Sequence, residues 1–129
     1  MYAQLAMIVN LMVMFAVKHY VCDFLLQGKY MLGKFNLKGW QLPLAAHCAV
    51  HAAGTFIIVV YYVGFWSSLI LAIADFITHF GIDKAKVEIS RGLDPNKDPE
   101  FWHMLGFDQF CHSIVHILII LQAMSFAYD

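Results

Sequence analysis

The stretch Gly106–Tyr128, GFDQFCHSIVHILIILQAMSFAY, decides the fold class. Asp108, His112 and His116 recur at intervals of four, and the last opens into Ile117, Leu118, Ile119, Ile120 and Leu121, a run with no polar residue. On an α-helix a four-residue step advances about 400°, so the three side chains form one narrow stripe with roughly 6 Å of rise between neighbours. Titratable groups on so apolar a helix have three readings: metal ligands, a proton or ion relay, or a hydrogen-bonded structural network.

Composition identifies the solvent around that stripe. Of the 129 residues, 61% are hydrophobic and 13% charged, with a mean hydropathy of +0.67, whereas about a quarter of a soluble domain is charged. The chain reads as a membrane protein with lipid as its partner. A net charge of −1 without a dense basic cluster excludes nucleic acid, and the sequence leaves oligomer formation open. Cys22, Cys48 and Cys111 form no CxxC pair and lie in apolar segments, where they read as small hydrophobes. The opening MYAQLAMIVNLMVMFAV lacks the basic start and cleavage pattern of a secretory signal and reads as a retained membrane helix. Met7, Met12 and Met14 within it read as packing residues.

Four segments approach the ~20 residues that a spanning helix needs. They run over about residues 3–26, 42–65, 67–87 and 101–127. Between the first two lies GKYMLGKFNLKGWQ and between the last two EISRGLDPNKDPE, both rich in loop-forming residues. Asp98 before Pro99 predicts an N-cap and first-turn proline for the last helix. The whole chain, 1–129, is expected to be one all-α domain, an up-down-up-down four-helix bundle. Lys29, Lys34 and Lys38 fall in or beside the first loop, and Lys84, Lys86, Arg91 and Lys97 in or beside the third connection. The positive-inside rule puts both loops in the cytoplasm and both termini on the other side. Trp40, Trp66 and Trp102 fall near helix ends, as an interfacial belt requires.

That topology gathers the remaining polar residues at one depth. His19 and Asp23 end the first helix, His47 and His51 begin the second, His79 and Asp83 end the third, and Asp108, His112 and His116 begin the fourth. Each set keeps the four-residue spacing, and Asp75 lies one step deeper than His79. The nine converging residues are read as metal ligands, because helix bundles build metal sites from inward-facing stripes. A hydrogen-bonded network contributes only about 0.6 kcal/mol per group, whereas burying ionisable groups in lipid costs several kcal/mol each unless they are paired or bound. One or two divalent ions are expected, zinc ranked before manganese and iron. Gln27, Asp75, Lys84 and Gln109 are read as residues behind the ligands, orienting them. Lys18, mid-helix, cannot easily reach water, and pairing with a carboxylate such as Asp75 is one way to hold it. His103 falls outside the pattern and reads as interfacial.

HYVCDFLLQ (19–27), HCAVH (47–51), THFGIDKAK (78–86) and FDQFCH (107–112) together resemble the successive motifs of a family of small bacterial and phage membrane proteins designated domain of unknown function 3307. The resemblance covers nearly the whole chain and implies a setting in the bacterial inner membrane. More distantly, the chain is similar to membrane-bound proteins labelled metal-dependent hydrolases, which implies hydrolysis of a membrane-associated ester or phosphoester. In that reaction Asp23 or Asp108 would take the proton of a metal-bound water. A metal-ion or proton conduit is the alternative, and a phage or bacterial membrane interaction protein with a structural polar site is a third. A conduit would need a polar outer path, for which the chain offers little beyond Gln4, Asn10, Thr55 and Gln122.

Overall fold

The computed structural model describes residues 2–128, which are all-α, with no strand among them. Helix α1, Tyr2–Tyr20, runs directly into a π-helical turn, Val21–Leu25, and a short 3₁₀ helix, Met31–Phe35, follows in the first loop. Helix α2 is Gln41–Ile89 and α3 is Pro99–Tyr128. All three long helices are apolar enough to cross a membrane.

The expected second and third helices are a single element of 49 residues, α2, interrupted at Gly64 alone. A straight helix of that length would extend about 74 Å. Instead Thr55 Oγ1 donates to Asp75 Oδ2 at 2.6 Å, and the Nε2 atoms of His47 and His79 stand 3.3 Å apart. These pairs are nearly symmetric about Gly64, so the two arms run antiparallel. Gly64 turns the chain with φ 73° and ψ 177°, a combination essentially restricted to glycine. No separate connection at VGFWSS is required.

The inward stripes explain the packing. On α1 the buried row is Met7, Leu11, Phe15 and Lys18, continued by Cys22 in the π turn. The first arm of α2 buries His47, His51, Thr55 and Ile58, its second arm Leu71, Asp75, His79 and Asp83, and α3 buries Asp108, His112, His116, Ile119 and Ala123. Each row is one face of one helix, apolar at one end and ionisable at the other. Met7, Leu11, Phe15, Ile58, Val59, Leu71, Ile119, Ile120 and Ala123 join into a single dry cluster. The outward faces are the greasy ones: Val13, Ile57, Ile77 and Leu118 are each more than half exposed.

One boundary differs from expectation for a local reason. The first helix ends its α-winding at Tyr20, and Leu26 N–H donates to the Val21 carbonyl at 2.8 Å, the i to i+5 bond of a π turn. Helix α3 begins at Pro99, directly after Asp98 as expected, and one oxygen of the Asp98 carboxylate accepts from the Asp94 N–H at 2.7 Å and closes the preceding loop.

Candidate metal centre

Helix α1 delivers His19, and the π turn that follows swings Asp23 inward beside it, at 3.2 Å from His19 Nε2 to Oδ2. The first arm of α2 supplies His47 and His51, the second His79 and Asp83, and α3 Asp108 and His112. The donor atoms of six of them meet in two adjoining groups, Asp23 with His47, His51 and His79, and His79 with Asp83 and His112, whereas His19 and Asp108, also expected as ligands, belong to neither. Within each group the donor atoms lie within 4.8 Å of one another.

The edges of this polyhedron are short. His47 Nε2 is 3.2 Å from Asp23 Oδ1 and 3.3 Å from Asp83 Oδ2. His51 Nε2 is 3.0 Å from Asp23 Oδ1, and His112 Nε2 is 3.3 Å from Asp83 Oδ1. Four ligands held ~2.0–2.1 Å from one ion stand roughly 3.3 Å apart from each other. The observed spacing matches that of atoms around one ion, and equally that of N–H···O hydrogen bonds.

The rings also commit one nitrogen each to that centre. Nδ1 of His19, His47, His51 and His79 is buried without a hydrogen-bond partner among the described residues. Each of these rings thus leaves one bond at a buried nitrogen unmade, at a cost of about 1–3 kcal/mol, whether Nε2 holds a proton or an ion. These residues could hold a metal ion through Nε2 and carboxylate oxygen.

Gln109 stands where a supporting residue was expected. Its Nε2 donates to Asp23 Oδ2 at 3.3 Å and to Asp108 Oδ2 at 3.2 Å, while its Oε1 lies 2.9 Å from His19 Nε2. Other expectations need correction. His116 belongs to neither donor group, since its Nε2 faces the Lys18 ammonium at 3.4 Å, one turn deeper. Asp75 is not behind the ligands but sits with that lysine, accepting from Lys18 Nζ at 2.8 Å and from Thr55. Lys84 turns away, its ammonium 3.5 Å from the centre of the Trp40 ring and paired with Glu88. Gln27, half-buried, makes no side-chain hydrogen bond among the described residues. His103 is exposed and outside both groups.

Two lysines enter instead: Lys34, which the sequence places as a loop cation, and Lys86, which it reads as snorkelling to headgroups or holding an anion. Lys34, only 3% exposed, folds in from the 3₁₀ helix and donates to Asp83 Oδ2 at 2.5 Å. Lys86 pairs with Asp108 Oδ2 at 3.0 Å. A loop lysine carries no local mark of pointing inward, although the four-residue step from Ile82 to Lys86 puts the latter on the face next to Asp83.

No curated protein and no solved structure matches the chain. The model of the family described as "Protein of unknown function (DUF3307)" matches residues 11–128, and the chain belongs to that family.

Proposed function

We propose that this is an integral membrane protein whose α2 crosses twice, giving four spans in an up-down-up-down bundle with the loops around residues 28–40 and 90–98 in the cytoplasm and both termini opposite. Segregation of loop Lys and Arg supports the orientation, and a bacterial inner membrane is the setting proposed. The buried His/Asp cluster holds a divalent ion, zinc before manganese or iron, and serves the hydrolysis of a membrane-associated ester or phosphoester. The observation that carries this reading is the 3.0–3.3 Å spacing of Nε2 and carboxylate atoms from all four membrane-length segments.

A bound ion would supply a water of lowered pKa. Asp23 lies inside the first donor group and is committed as a ligand. Asp108 lies outside both, with its Oδ1 3.3 Å from His112 Nε2 and its Oδ2 3.0 Å from Lys86 Nζ. As the carboxylate outside the donor groups, it is the one assigned to take the proton.

The conduit reading fares less well. The polar chain ends at Lys18, Thr55 and Asp75, against the dry cluster that contains Leu11, Val59, Leu71 and Ile120.

Elemental analysis of protein purified without added metal tests the centre, with one bound ion per chain expected. Release of product from ester and phosphoester lipids in reconstituted vesicles tests the activity. A metal-free protein whose stability ignores added zinc would sink both.

A further inference from the structure

The two loops at the charged end of the fold are built differently. Residues 28–40 contain Lys29, Lys34 and Lys38 and no acidic residue. Lys34 turns inward, and Lys29 and Lys38 stay exposed. Between those two lysines Tyr30, Leu32, Phe35 and Leu37 are each 45% exposed or more. Residues 90–98 instead balance Arg91 and Lys97 against Asp94 and Asp98. There Lys97 pairs with Asp94 at 3.5 Å, and no large hydrophobic side chain is exposed.

The first loop is also held low against the bundle. Lys34 Nζ donates to Asp83 Oδ2 at 2.5 Å, and a Cβ on Gly33 would stand 2.9 Å from Pro43 Cγ, so the 3₁₀ helix packs directly on both arms of α2. Trp40 closes the loop against the second arm, its ring centre 3.5 Å from the Lys84 ammonium and 6.2 Å from that of Phe80. Beyond Asp83 the second arm continues to Ile89, about 9 Å further along its axis. The 3₁₀ helix therefore lies beside the last turns of a membrane-length segment and not past them. Both ends of the loop run into such segments, at Leu26 and Gln41, so the surface within its reach is that of the surrounding lipid. Aromatic and aliphatic side chains facing outward at that level, flanked by lysine, suit the headgroup boundary of a bilayer.

Resting on the membrane reading above and not on the metal, we infer that the outer face of residues 28–40 lies in the headgroup layer of the same bilayer and binds anionic phospholipid. Leu32, Phe35 and Leu37 enter the acyl boundary, and Lys29 and Lys38 attract the phosphates. Residues 90–98, with their charges balanced, stay in water.

The test uses the full chain in phosphatidylcholine vesicles with or without phosphatidylglycerol. In a background with Cys22, Cys48 and Cys111 replaced, an environment-sensitive fluorophore is attached through Asn36→Cys or Asn96→Cys, matched exposed positions on the two loops. The label at position 36 should emit at shorter wavelength than that at 96, be quenched by phospholipid spin-labelled near the headgroup, and respond more strongly with phosphatidylglycerol present. Lys29→Gln with Lys38→Gln should abolish the phosphatidylglycerol response. Leu32→Ser with Leu37→Ser, both at exposed side chains, should return the label toward water. Hydrogen exchange of the unsubstituted chain reads the same difference should the cysteine-free background not fold: amides of residues 30–38 should exchange more slowly with phosphatidylglycerol, and those of 90–98 should not change. A label at 36 as wet and as unquenched as that at 96, or equal exchange in both lipids, overturns the inference. So does a label shielded from water yet unquenched by spin-labelled lipid, and its dependence on dilution of the chain would then assign the face to a second copy. An equal response without phosphatidylglycerol overturns the preference for anionic lipid. A chain that alkaline carbonate strips from the vesicles overturns the membrane reading itself.

Discussion

His47 and His79 bring their Nε2 atoms to 3.3 Å although 32 residues separate them. Two ring nitrogens at that distance share either a proton or an ion. The contact exists because the chain reverses at Gly64 and lays the two arms of α2 side by side. The same reversal brings His51 and His79 within 3.8 Å, centre to centre.

If an ion is shared, removing either ring opens its coordination. His47→Ala and His79→Ala should each weaken zinc binding by more than about 100-fold, since loss of a partner merely behind a ligand already costs ~10–100-fold. His103→Ala should change nothing, and His116→Ala should keep the metal because its ring faces Lys18. Elemental analysis and competition with a chromogenic chelator give the readout. Metal retained by the His47→Ala and His79→Ala proteins would refute the assignment.

Ligation requires neutral imidazole and ionised carboxylate, so protons compete with the metal. Acidification should release the ion and lower the thermal midpoint, because a ligand that binds only the folded state stabilises it by mass action. A chelator at neutral pH should give the same drop, and a further fall in pH should then have a smaller effect than in the loaded protein. Equal pH sensitivity with and without metal would count against the linkage.

Gly64 is held at φ 73° and ψ 177°, where any Cβ is strained. Gly64→Ala should cost about 1–3 kcal/mol in a denaturant series. Gly81, on an exposed helical face where a Cβ meets nothing within 4 Å, provides the control, and Gly81→Ala should be neutral or slightly stabilising. Equal effects at the two positions would show that the reversal does not depend on glycine.

Much of the centre is legible in the sequence because a four-residue interval fixes which side chains share a face. Charge-derived topology then sets a common depth for those faces. His116 and Asp75 show where spacing stops informing: they lie on the correct stripes, yet Lys18 captures both one turn too deep. Lys34 was illegible for the opposite reason, since a loop position has no periodicity and the positive-inside rule treats every loop lysine as solvated. The π turn at Val21–Leu25, which aims Asp23, leaves no mark in hydropathy.

Topology can be read chemically. In a background with Cys22, Cys48 and Cys111 replaced, single cysteines at the exposed positions Asn36 and Asn96 should react with an impermeant maleimide only from the cytoplasmic side. A cysteine at Trp66, 75% exposed beside the Gly64 reversal, should react only from the other side. Labelling of all three positions from one side would contradict the double crossing of α2.

Lys18 ties every segment together, because its ammonium donates to Thr55 on one arm of α2 at 2.9 Å and to Asp75 on the other, and faces His116 on α3. Lys18→Met would leave Asp75, 1% exposed, as a buried unpaired carboxylate, at a cost of about 3–5 kcal/mol. Replacing both, Lys18→Met with Asp75→Leu, should recover most of that, since paired charges exchanged for packed hydrophobes are often neutral. Gly54 makes room for the lysine: a Cβ there would lie 2.8 Å from Lys18 Cγ and 3.1 Å from Cδ. Gly54→Ala should therefore destabilise the native chain and cost markedly less in a Lys18→Ala background, a coupling of about 0.5–3 kcal/mol. Zinc affinity should survive the double replacement, because neither Lys18 nor Asp75 belongs to a donor group. Metal lost with the pair would mean that the lysine positions the ligands as well as the helices.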